Sequence, residues 1–137
     1  QQQGRHFSAY KVLGFPEERA DCTVSPLGEV SVTPTLLSIS KCDDTIACQK
    51  KTKFERFRGR IDETSLNSVV GMSGGPIFGI SRNKPVKYWI IAIQSSWVAE
   101  TKIIFGCPMP TLTKMIGDHI DEAKRQDALD PITAIRR

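Results

Sequence analysis

The sequence predicts an all-β protein: a six-stranded antiparallel barrel or sandwich followed by one C-terminal α-helix. Three observations carry this expectation. Short runs of β-branched and aromatic residues recur through the first hundred positions, separated by turn residues. The period becomes helical only after Pro108 and Pro110. Hairpin-length links join most of the runs, and closure or stacking is what disposes of so many strand edges.

The first strand is Phe7 to Leu13, ending at the turn signal Gly14-Phe15-Pro16. The second run, Val30 to Ile39, alternates at Leu37 and Ile39, but Pro34 removes a ladder donor and implies a bend or an edge position. After the polar loop Lys41 to Lys51, Thr52 to Phe57 reads as strand three, and Pro76 to Ile80 as strand four. Tyr88 to Gln94 is apolar on both faces, Tyr88/Ile90/Ala92 and Trp89/Ile91/Ile93, which predicts burial on both sides and a central place in the sheet. Thr101 to Cys107 is strand six. Leu112, Met115, Ile116, His119, Ile120 and Ala123 then recur at helical spacing, with Thr111 or Thr113 as cap, so an amphipathic helix is expected to close the domain with His119 packed.

A chain of 137 residues, 39% hydrophobic and 25% charged, supports one globular domain with a real core. A net charge of +4 is too small to imply nucleic acid or membrane. No apolar run approaches the ~20 residues of a membrane helix, and Gln1-Gln2-Gln3-Gly4-Arg5 lacks a signal peptide's apolar stretch, so a soluble chain is expected; its compartment is left open, with the cytoplasm favoured. The absence of an initial Met suggests a processed product or a fragment. Cys22, Cys42, Cys48 and Cys107 show no C-x-x-C spacing, and His6 and His119 lie far apart, so neither a metal site nor a cofactor is expected. Cys42 and Cys48 could close a short disulfide loop; reduced thiols are the favoured reading.

Two segments carry chemistry. In Gly71-Met72-Ser73-Gly74-Gly75-Pro76 the glycines permit positive φ and close backbone approach, so Ser73 can stand outward beside converging amide N–H groups. The alternative is a glycine-rich hairpin turn. The run from Lys50 to Arg60 holds six cations around Phe54 and Phe57, a pattern that would suit a nucleic-acid surface at 50–60. It spans a single strand and no recognised module, so an exposed hairpin with a phenylalanine turned inward is expected instead.

G-x-S-G-G-P followed by a strand resembles the nucleophile segment of chymotrypsin-like (trypsin-like) serine proteases. Ser96-Trp97 resembles the family's pair on the strand that receives substrate backbone, Gly106 its pocket glycine, and the helix from Thr111 its closing helix. Tyr10 to Pro16 resembles the opening strand of the second barrel as bacterial members write it. The resemblance covers residues 7–123, leaving 1–6 as the inter-barrel linker and 124–137 as a polar tail. It implies that Ser73 is the nucleophile, that the Gly71 and Ser73 N–H groups form the oxyanion hole, and that Ser96, Trp97 and Val98 pair with substrate. Asn67 would floor the specificity pocket, with Ser68 beside it, Val98 narrowing the mouth and Gly106 clearing the opposite wall. A small or medium uncharged residue before the scissile bond follows.

The family's His and Asp lie on a first barrel, which would precede Gln1. The expected partners are therefore that barrel and a peptide substrate, and residues 1–137 alone should be inactive and prone to self-association. His6, His119, Asp62 and Glu63 are weak substitutes for the triad partners. Met72 stands where activatable members carry an aspartate, so packing or a partner must shape the oxyanion loop. The competing reading is a catalytically inactive, protease-like module that binds peptides or proteins.

Overall fold

The computed structural model describes residues 7–19, 22–42 and 56–129. Its strands are β1 (Ala9–Gly14), β2 (Cys22–Val24), β3 (Val30–Val32), β4 (Thr35–Lys41), β5 (Phe57–Ile61), β6 (Pro76–Ser81), β7 (Lys87–Val98) and β8 (Ile103–Pro108), followed by helix α1 (Met109–Leu129). Six of them close an antiparallel barrel in the order β1-β4-β5-β8-β7-β6, with β6 returning to β1. The expected architecture is therefore observed.

Alternation places the core. In β4, Leu37 and Ile39 are buried while Leu36 and Ser38 face out, and Val12, Ile61, Ile77, Ala92 and Ile104 join them from neighbouring strands. The end of β1 away from Gly14 is filled by rings. Phe7 lies 5.7 Å from Trp89 and 5.8 Å from Tyr10, and Tyr10 lies 5.7 Å from Phe57.

Several expectations are corrected. Val30 to Ile39 is two strands rather than one bent strand, because Pro34 falls in the break between β3 and β4. β3 pairs only with β2, a strand absent from the sequence reading, and together they form a separate two-stranded sheet. The third barrel strand runs Phe57–Ile61, later than Thr52 to Phe57; residues 52–55 of that expected range lie outside the described residues.

Tyr88 to Gln94 is not buried on both faces: Tyr88 is 72% and Ile90 43% exposed. Ile77 pairs with Ala92 but Phe78 with Ile90, so Ile91 is an extra residue and a bulge shifts the phase of the strand. Beyond it, Ala92 and Gln94 are the buried positions. The helix begins at Met109, and Thr113 Oγ1 donates back to the Met109 and Pro110 carbonyls rather than capping the N-terminus. Its apolar stripe is not packed. Met115, Ile116 and Ile120 are 58%, 50% and 47% exposed, and His119 is exposed beside them.

Among the described residues no helix is long and apolar enough to cross a membrane. Cys22, Cys42 and Cys107 are free thiols, while Cys48 lies outside the described residues.

Candidate active site

The Ser73 turn is built by glycines pressed on β1. Gly71 and Gly74 have φ of +91° and +86°, a region that favours residues without Cβ. A Cβ on Gly71 would lie 2.6 Å from the Phe15 carbonyl oxygen, and one on Gly75 would run into the Leu13 carbonyl oxygen. Between them Met72 is 1% exposed and packs on Gly14, so a core side chain anchors the turn. Backbone bonds complete it: Met72 N–H donates to Val69 O at 3.0 Å, Gly75 N–H to Met72 O at 2.9 Å, and Glu17 N–H to Val70 O at 2.8 Å. Ser73 is left exposed at the crest.

The same turn is tied to β7. Gly74 N–H donates to Gln94 O, and Gln94 N–H to Gly75 O, each at 2.9 Å. Past this point β6 has ended, and Ser96, Trp97 and Val98 pair with β8 alone. Their other edge is open among the described residues, which suits an added extended peptide. Ser96 is exposed, and Trp97 and Val98 are half-buried. Gln94, missed by the sequence reading, is 3% exposed with its Oε1 unpaired; Nε2 reaches Ser96 O at 3.4 Å. Its one sequence signal is a polar residue at the end of an apolar run.

Loop 62–70 leads into the turn. Leu66 and Val69 are buried in the core, while Asn67 is exposed and Ser68 half-buried, its hydroxyl accepting the Val70 N–H at 3.1 Å. Asn67 N–H donates to Glu18 Oε1 at 2.8 Å, and Lys102 Nζ donates to Thr64 O at 3.1 Å and Leu66 O at 3.0 Å. Arg19 donates to Glu63 at 2.6 Å and to Ser65 Oγ at 3.0 Å, and Ser65 Oγ donates to Glu63 at 2.9 Å. These bonds from Arg19, and then from Ser65, hold the Glu63 carboxyl below the usual glutamate range; the hydrogen bond to Glu63 in turn raises Arg19. Glu18, Arg19 and Lys102 carry no sequence signal, because their partners are distant in the chain. Gly106 pairs with Gln94 and is buried against the core: a Cβ there would lie 2.8 Å from Ile77 Cδ1 and 3.0 Å from Ala92 Cβ, so its missing side chain leaves no clear wall.

The structure thus ties the turn that carries Gly71 and Ser73 to Gln94, two residues before Ser96, with Trp97 and Val98 following on the same strand and Asn67 and Ser68 on the loop before the turn. The Ser73 hydroxyl and the Gly71 and Ser73 amide N–H groups have no partner among the described residues. Such a set can present an oxygen nucleophile beside amide donors for a developing oxyanion. Among the described residues no histidine or carboxylate is bonded to Ser73. Asp62 accepts from Ser40 Oγ at 2.6 Å, Glu63 is held by Arg19, His119 lies on the projecting helix, and His6 lies outside the described residues. No cluster of metal-ligating side chains occurs among the described residues. In the basic run, Phe57 is half-buried and leans on Tyr10, while residues 50–55 lie outside the described residues. No family model, curated protein or solved structure matches this chain.

Proposed function

We propose that this chain is the nucleophile-bearing barrel of a chymotrypsin-like serine endopeptidase, completed by a preceding barrel that supplies His and Asp. The observation that carries the reading is the exposed Ser73, set between two positive-φ glycines and bonded through Gly74 to the strand whose next residues offer an open edge. In this reading Ser73 Oγ attacks the scissile carbonyl and passes its proton to the histidine. The Gly71 and Ser73 N–H groups bind the oxyanion while Ser96 to Val98 hold the peptide as an added strand. Collapse releases the amine, which takes the proton, and water hydrolyses the Ser73 ester. Asn67 offers a neutral amide and Val98 a branched wall, so a small or medium uncharged side chain is preferred before the scissile bond, by about 1–3 kcal/mol over a larger one.

The lack of a bonded base at Ser73 among the described residues favours a second reading, an inactive module that binds peptides at the same β7 edge. A fluorophosphonate probe separates the two. The full-length protein should label at Ser73 and lose labelling in Ser73→Ala, while residues 1–137 alone stay unlabelled. A full-length protein that binds peptides yet remains unlabelled would establish the binding module instead.

A further inference from the structure

Lys102 has a φ of +54°, alone among the non-glycine described residues in being positive. A glycine would hold that backbone with less strain, so the side chain must supply something a glycine lacks. It supplies an ammonium that reaches across from the turn between β7 and β8 to the carbonyls of Thr64 and Leu66, flanking Ser65 at the centre of loop 62–70. On the opposite side of the chain path, the single helical turn at 17–19 offers the Glu18 carboxylate to Asn67 N–H, one residue beyond Leu66. Arg19 fixes the start of the loop through Glu63 and Ser65. Consecutive backbone groups, Leu66 O and Asn67 N–H, are therefore gripped by a cation and an anion from elements remote in sequence.

We propose that Lys102 and Glu18 are positioning residues that set loop 62–70, and with it Asn67 and Ser68, in the shape that receives the substrate side chain. The inference rests on the reading of Ser73 as a nucleophile only for the identity of what the loop receives. The ends of the loop are tied by other bonds: Asp62 N–H donates to Ser38 O at 3.1 Å, and Glu17 N–H donates to Val70 O at 2.8 Å beside the buried Val69. The loop's segment from Asp62 to Ser68 forms no strand pairing, and Leu66 is its sole fully buried side chain. Charge-assisted bonds to main-chain groups hold such a segment where side-chain packing does not. Because both clamps act on backbone atoms, Asn67 and Ser68 remain free to vary with the substrate side chain while their location stays constant.

The test compares Lys102→Met, Lys102→Arg and Glu18→Ala with the native full-length protein, by site-resolved amide exchange and by peptide hydrolysis. Loss of a charge-assisted bond should speed exchange at the Asn67 amide by about tenfold or more in Lys102→Met and Glu18→Ala, with the barrel amide of Ile77 unchanged. Lys102→Arg, which keeps the cation, should restore protection to within about threefold. In hydrolysis the KM for a peptide should rise about tenfold while kcat and the labelling of Ser73 by a small fluorophosphonate move less than about threefold. Unchanged Asn67 exchange in both variants overturns the proposal, as does equal acceleration at Ile77, which would assign the two residues to global stability. A native protein that never labels defeats the protease reading alone; the exchange result then still decides the clamp.

Discussion

Met72 shows how a single buried side chain can shape a surface turn. Because it fills the core against Gly14, Met72→Ala should destabilise the fold by about 2–5 kcal/mol, whereas Met72→Leu should cost less than about 1.5 kcal/mol. Urea titration measures both. Glu63 supplies a pH-dependent counterpart. Its carboxyl is held low by the Arg19 and Ser65 hydrogen bonds, so its contribution is fully present above the ordinary glutamate value of about 4.3 and is lost as pH falls through the lower folded value. Denaturation midpoints of native protein and Glu63→Gln should therefore differ at pH 7 and converge in acid; a constant difference would contradict the assignment. The positive φ at Gly71 and the exposure of Ser73 were legible in the sequence, because a glycine cluster around one serine fixes an unusual backbone path. Lys102 and Glu18 were not, since a lysine or glutamate in a polar segment resembles any solvated side chain until the fold brings its partner near.

At the level of elements, legibility followed the clarity of the period. β4 and β6 showed clean punctuation and lie within a residue or two of expectation at most boundaries, apart from the start of β4. β7 did not reveal its phase, because apolar residues on both faces leave nothing to distinguish in from out, and the bulge at Ile91 is what decides it. Pro34 was readable as an interruption, but whether a chain bends or breaks there depends on β2, which the β3 segment finds as its partner. That small sheet pairs with no barrel strand, and Leu27 at its tip is 87% exposed. Replacing residues 22–32 with a short Gly-Ser link should therefore leave amide protection in β1 and β4 unchanged. Loss of protection there would show that the hairpin supports the barrel.

Taken whole, the molecule is a closed barrel with a helix that leaves it. Strand count and turn spacing showed that six strands without helical cover must dispose of their edges by closing or by stacking, and the structure closes them. The helix's departure was not legible, because an apolar stripe has the same pattern whether its cover comes from its own domain or from elsewhere. Met115, Ile116 and Ile120 line one open face, so residues 1–137 alone should self-associate, and Met115→Glu with Ile120→Lys should lower the sedimentation coefficient to that of a monomer. A native monomer at every concentration would show that this stripe needs no cover.

The pairing of β1 with β6, which joins Val12 to Ile77, bears on how the protein is made. β1 leaves the ribosome early and its closing partner much later, so their contact carries a large loop-closure cost and belongs to the late part of folding. The Ser73 turn rests on that seam through Gly75 at the Leu13 carbonyl and is fastened from the other side by Gln94 on β7. A nascent chain that has not yet released β7 therefore has no framework for the turn. The serine acquires its setting only when synthesis has passed the strand that follows it, and an unfinished polypeptide lacks the turn at this position.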